Sequence, residues 1–330
     1  MTLAISGTTG ITLATQFDSA STFGFKNRFI NGQMQVAQRG TTGSSGTAVP
    51  TTAPTYPSVD RWYAYAIGAA VTVAQSSGTG ATKNNLQVSG TGSVTAVGVG
   101  QRIEQLNCYD LAGSTCTLSV NMSNSLLTTV TWTASYATSA NTWSAKTTIS
   151  SGTFTVSGTL ANYSAQIVVP AAATTGIEIL FTVGAQTSGT WVIGNAQFEQ
   201  SSTVATSFDY RPYTTELQLC QRYYYRTNGT ANLPRLAAGF SVSTTVADFV
   251  FSLPVTMRTI PAALEQSGTA TDYNLVYGGT NANCSSVPTI GASNVGTVNF
   301  SYTVAAVMTL GQGVIARQNT NGYLGWSAEL

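Results

Sequence analysis

Long stretches of this chain alternate strictly between apolar and polar residues, and that period of two restricts the fold more than any other feature. Leu118, Val120 and Met122 interleave with Ser119, Asn121 and Ser123. Val130, Trp132, Ala134 and Tyr136 interleave with Thr131, Thr133 and Ser135. Phe154 and Val156, then Ile177, Ile179, Phe181 and Val183, then Trp191 and Ile193, repeat the pattern. A strand whose side chains alternate in this way buries one face and wets the other, which is the habit of antiparallel sheets. The strands recur roughly every ten residues between Gly, Ser and Asn turns, the spacing expected of a jelly roll. Threonine dominates the polar face, where a β-branched side chain fits a solvated strand.

The alternation breaks at FEQSSTVATSFDYRPYTTELQLCQRYYYR, residues 198–226. Pro212 keeps Arg211 out of the helical region. Thr214 can cap a short helix with Glu216 in its first turn, and Leu217, Cys220, Gln221 and Tyr224 then share one helix face. Tyr223–Tyr225 return to strand, and Asn228-Gly229 predicts a hairpin turn. Beyond this hinge lie further strands around Phe240 and Val242, Phe249 to Leu253, Leu275 and Tyr277, and Val298 to Val304. Pro254 and Pro261 bracket an edge or crossover. Asn321-Gly322 predicts a last hairpin into 323–329. The expected fold is therefore all-β: an antiparallel jelly-roll sandwich, a short helix and a smaller C-terminal β-sandwich. The boundaries fall at 1–24, 25–213 and 214–330. Near the start, Asn31-Gly32 predicts a turn between Phe29-Ile30 and an alternating strand through Met34, Val36 and Gln38.

Composition excludes several functions. Charged residues make up 8% of 330 and the net charge is +1, against roughly 25% in typical proteins. There is no basic cluster with which to displace counterions from nucleic acid. No apolar run is long enough for a transmembrane helix. Histidine is absent, which removes the usual general base, a Ser-His triad and the commonest zinc ligand. No metal site is expected from the residues, although jelly-roll domains accommodate a structural calcium ion. Of the four cysteines, Cys108 and Cys116 can pair across a hairpin or remain buried thiols; the latter suits a protein made in a reducing cytosol. A glycosidase needs two carboxylates flanking the bond. Asp60 with Glu104 and Glu199 with Asp209 are the only pairs worth naming, and each suits a structural partner for arginine. Arg39, Asp60 and Arg61 are expected to form a structural ion cluster.

Four stretches, FEQSSTVATSFDYRPYTTELQLCQRYYYR, KNRFINGQMQVAQR (26–39), Asp60-Arg61-Trp62 and YLGWSAEL (323–330), resemble a family of bacteriophage tail-fibre and virion structural proteins. The resemblance extends over most of residues 25–330. It implies a jelly-roll, carbohydrate-binding-like domain followed by a small β domain, on a phage particle assembled in the bacterial cytoplasm. It also implies a homotrimer and no catalytic residue. Residues 1–24 resemble the segments that precede fibre head domains, which implies attachment to other virion proteins. The expected function is attachment of the virion to a host surface polysaccharide, with no enzyme activity, nucleic-acid partner or membrane insertion. Capsid decoration or another purely structural role is the alternative, and a depolymerase a more remote one. Sugars stack C–H faces on aromatic rings and bond amides and hydroxyls. Trp143, Tyr136 and Asn141 are accordingly the candidate glycan-binding residues, Trp143 being either a platform or a lid on the core. So weakly charged a surface suits a neutral polysaccharide.

Overall fold

The computed structural model describes residues 25–39, 53–78, 82–201 and 204–330 in full, and the short strands Ile5–Ser6, Gly10–Ile11 and Thr47–Val49 in backbone. The expected attachment segment, 1–24, otherwise lies outside the described residues. The chain divides into two compact units, Met1–Tyr213 with Leu330, and Thr214–Glu329.

In the first unit β1 (Ile5–Ser6) pairs with β2 (Gly10–Ile11). The sandwich is built from β3 (Thr47–Val49), β4 (Tyr63–Ile67), β5 (Val71–Ser77), β6 (Asn84–Ser89), β7 (Ala96–Ile103), β8 (Thr115–Asn124), β9 (Thr129–Ser139), β10 (Thr142–Thr155), β11 (Ala161–Val168), β12 (Ile177–Val183) and β13 (Thr190–Gln200). They form a five-stranded sheet in the order β10-β9-β12-β7-β4 and a six-stranded sheet in the order β11-β8-β13-β6-β5-β3. Every pairing is antiparallel. Insertion of β12 between β7 and β9, and of β13 between β6 and β8, gives the long sheet-to-sheet hops of a jelly roll. The alternating apolar residues meet in one core: Trp62, Val97, Val99, Val120, Met122, Ile179, Phe181, Trp191 and Phe198 are fully enclosed.

Residues 25–39 form no ladder, contrary to the strand expected through Met34, Val36 and Gln38. The turn is present, with the Met34 N–H donating to the Asn31 carbonyl at 3.0 Å. Side-chain amides take the place of a neighbouring strand. Asn31 Oδ1 accepts from Val36 N–H and its Nδ2 donates to the carbonyls of Val36 and Asp60. Gln101 brackets Ile30 with two 2.8 Å bonds, and Gln75 Nε2 donates to Met34. Phe29 and Met34 thereby enter the core without leaving backbone groups unpaired. All four cysteines are buried thiols and none forms a disulfide.

The helix α1 (Tyr213–Gln221) opens the second part of the chain and buries Glu216 and Cys220. The second unit comprises β14 (Tyr224–Asn228), β15 (Arg235–Ser241), β16 (Val246–Ser252), β17 (Leu264–Gln266), β18 (Tyr273–Tyr277), β19 (Thr280–Asn283), β20 (Thr289–Ile290), β21 (Thr297–Thr303), β22 (Gly313–Gln318) and β23 (Tyr323–Ser327). A seven-stranded sheet, β19-β18-β22-β15-β16-β21-β20, accompanies a three-stranded one, β14-β23-β17. Neither Asn-Gly pair makes a hairpin. β14 pairs with β23 rather than β15, and β22 and β23 belong to different sheets. Both turns are corners between sheets, joined by the Gly229 N–H on the Gly322 carbonyl at 2.7 Å. The proline-bracketed stretch is the crossover from β16 to β17. Phe251 stacks on both Tyr225 and Trp326 across this small core.

Candidate functional site

The register of the five-stranded sheet specifies which side chains share its outer face. Because Trp62, Ala64 and Ala66 point into the core, Tyr63 and Tyr65 point outward. Tyr63 lies in a row with Gly100, Leu180, Thr133 and Ser151, and Tyr65 in a row with Gly98, Thr182, Thr131 and Thr153. A third row holds Arg102, Glu178, Ser135 and Thr148. The two glycines make room for the two rings. A Cβ at Gly98 would lie 2.2 Å from Tyr65 Cε1, and one at Gly100 would lie 2.5 Å from the Tyr63 hydroxyl. Tyr63 is buried, whereas Tyr65, Leu180, Thr182, Thr131 and Thr133 are half-buried and Ser151 and Thr153 exposed. The result is an aromatic ring and an isobutyl group beside rows of hydroxyls, on a surface open to solvent.

The third row is ionic. Arg102 Nε donates to Glu178 Oε1 at 2.9 Å, and Lys146 Nζ meets the other oxygen of the same carboxylate. Glu178 is 1% exposed and Lys146 39%. The Arg102 guanidinium sits 5.1 Å from the Tyr63 ring centre and 5.3 Å from that of Trp143. Its Nη1 donates to the carbonyl of Leu330, which also accepts from the Tyr56 hydroxyl. Burial pushes the Tyr63 phenol well above its usual pKa, and the neighbouring Glu178 carboxylate pushes it further.

Of the three expected sugar-binding residues, only Trp143 stands beside this face. Its ring packs between Arg102 and Gly176, 3.1 Å from where a Cβ there would be, and its indole N–H is enclosed with no acceptor among the described residues. Tyr136 pairs with Ile177 and packs against the core, on the opposite side of the sheet from Tyr63 and Tyr65. Asn141, at φ 55°, holds the turn between β9 and β10. Its Oδ1 accepts from Gln105 N–H and its own N–H donates to Thr175, both at 2.8 Å. Asp60 is fully buried and accepts from the backbone and side-chain amides of Gln38. Arg61 is equally buried and donates to the Arg102 carbonyl; Arg39 lies over the Tyr56 ring. Among the described residues no three His, Cys, Asp or Glu converge to hold a metal ion. Tyr65, Arg102, Glu178 and Lys146 were missed in the sequence, although Tyr-Ala-Tyr-Ala at 63–66 and Val-Gly-Val-Gly at 97–100 carry the signal.

The outer face of the six-stranded sheet is covered around Gln197 and Glu199. Gln197 and Glu199 share it with Ser119 and Thr117, yet both are buried. Residues 206–209 lie over them. Glu199 accepts from the Thr206 N–H at 2.8 Å and hydroxyl at 2.6 Å, and Gln197 Oε1 accepts from the Asp209 N–H. Asp209 accepts from the Asn27 N–H, while Arg211 donates to the carbonyls of Phe29 and Asn27. The conspicuous acids of this stretch are therefore fasteners for a covering strap.

No protein-family model and no curated protein matches the chain. Among solved structures, a family 4 carbohydrate-binding module is similar at 13% identity and TM-score 0.36, covering 52% of this chain and 98% of the module. The enzymatically active domain of tailspike protein 4 from bacteriophage CBA120 is similar at 19% identity and TM-score 0.34, covering 43% of this chain and 19% of that one. The C-terminal family 22 carbohydrate-binding module of a Clostridium thermocellum xylanase is similar at 18% identity and TM-score 0.33, covering 44% and 89%.

Proposed function

We propose that this protein is a phage virion component whose first unit binds a host surface glycan on the outer face of the five-stranded sheet, without turning it over. The observation that carries the glycan reading is the half-exposed Tyr65 ring seated over Gly98 beside rows of threonine and serine hydroxyls, with Tyr63 buried next to it. A sugar ring places its C–H face on an aromatic ring and its hydroxyls on such partners. Glu178 is the one carboxylate in the three rows, and Arg102 and Lys146 already engage it; bond cleavage needs two. The virion role rests on the four sequence stretches that resemble fibre proteins, and with it go a homotrimer and attachment through residues 1–24.

Tyr65→Ala tests the site. Binding of the full-length protein to host cells should fall at least tenfold, about 1.4 kcal/mol, with little change in melting temperature because the ring is half-exposed. Undiminished binding overturns the site, and no binding by the wild type favours a purely structural virion role. Immunogold labelling of particles tests the virion assignment separately.

A further inference from the structure

Resting on that reading, we infer that the glycan carries a carboxylate, held at the Lys146 end of the face. Two cations, Arg102 in the third row and Lys146 on β10 beyond it, meet the single carboxylate of Glu178. Among these three side chains positive charge exceeds negative by one. The polar groups converging there donate rather than accept. Lys146 has three N–H bonds on a side chain 39% exposed and one carboxylate oxygen to share them with. The Arg102 guanidinium has its Nε committed to Glu178 and its Nη1 to a carbonyl. Glu178, the only carboxylate in the row, is enclosed and already engaged by both cations. A neutral sugar hydroxyl satisfies such a donor-rich corner poorly, because each hydroxyl brings a donor of its own. A carboxylate brings acceptors only and balances the extra charge. The Thr and Ser rows, by contrast, suit neutral hydroxyls, so one ligand would lie with its acidic group at Lys146 and its unsubstituted sugars toward Tyr65.

The test is calorimetric titration of the full-length protein with polygalacturonate, alginate and hyaluronan, each beside its carboxyl-reduced counterpart, and with a glycerol-phosphate polymer. At least one acidic polymer should bind about tenfold more tightly than its reduced form, the value of one charge-assisted hydrogen bond. That preference should shrink as ionic strength rises through the physiological range. Lys146→Met should abolish the preference, bringing the acidic polymer's affinity down to that of its reduced form. Equal affinity for acidic and reduced forms, a preference that survives Lys146→Met, or stronger binding of the phosphate polymer overturns the carboxylate but leaves the glycan face standing. Failure of every polymer, acidic or reduced, to bind removes both. The comparison of polymers needs only the wild-type protein, so it holds even if the variant does not fold.

Discussion

The two outer faces of the first unit treat polar residues in opposite ways. On the six-stranded sheet Gln197 and Glu199 are buried because a segment of the same chain lies on them and answers their hydrogen bonds. On the five-stranded sheet Glu178 is just as buried, but its partners are side chains of the adjacent strand β7 and of β10, two strands away. The rest of that face is left to solvent. A buried acid is thus a mark of closure on one sheet and of local charge pairing on the other. The second arrangement leaves the Tyr65 ring and its neighbouring hydroxyls available to a ligand. Acids singled out for scarcity alone lead to the covered face, whereas tyrosines opposite glycines lead to the open one.

The contrast can be broken most forcefully at Glu199. Glu199→Ala leaves the Thr206 N–H and hydroxyl without their acceptor and should cost about 3 kcal/mol, read as a lower urea midpoint for the first unit. A cost below about 1 kcal/mol, the level of an exposed pair, means that the strap is not a fastener. Glycan binding should survive in the folded fraction, since the open face lies on the other sheet.

The two glycines sharpen the comparison within the open face. Gly100→Ala drives a Cβ into the buried Tyr63 ring and to 2.8 Å from the Ile179 carbonyl, and should cost about 2 kcal/mol by overpacking. The nearest atoms to a Cβ in Gly98→Ala are all in the ring of half-exposed Tyr65, which can swing outward, so stability should change by less than about 1 kcal/mol. Binding should nevertheless fall as far as in Tyr65→Ala. Equal destabilisation by the two substitutions would contradict the difference in ring burial.

The smallest effects are electrostatic. The folded state holds the Tyr63 phenol in its neutral form, so its pKa is raised above that of the unfolded chain. Its contribution is therefore intact below the unfolded value near pH ~10 and is lost as pH rises beyond it. Tyr63→Phe should cost about 1 kcal/mol at neutral pH through the lost hydroxyl bond and should flatten the alkaline decline. Burial also pushes the Cys108, Cys116 and Cys284 thiols up to about 12. A disulfide reagent at pH 8 should label them only at the rate of unfolding, and rapid labelling would contradict their enclosure.

Much of this molecule was legible in one dimension. The inward sets Leu118–Met122, Val130–Ala134 and Ile177–Val183 lie where their alternation put them, because a strand has only two faces and water selects between them. The helix over Tyr213–Gln221 was announced by Pro212 for equally local reasons, although it begins one residue before Thr214, the expected cap, and Tyr224, expected on its face, belongs to β14. What the sequence could not convey was which strand lies beside which. Asn228-Gly229 and Asn321-Gly322 have the local chemistry of hairpins, yet the partners of β14 and β22 come from elsewhere in the chain. The KNRFINGQMQVAQR stretch alternates like a strand, yet Asn31, Gln75 and Gln101 satisfy its backbone from the side. Tyr65 became a candidate contact only because β7 brings Gly98 opposite it, and Arg102, Glu178 and Lys146 became one charge group only because β7, β12 and β10 carry them to one end of the sheet. Alternation is a property of neighbours in sequence, so the chain by itself determined the faces. A site is a property of neighbours across strands, and strand order is decided by long-range pairing that only the folded chain possesses.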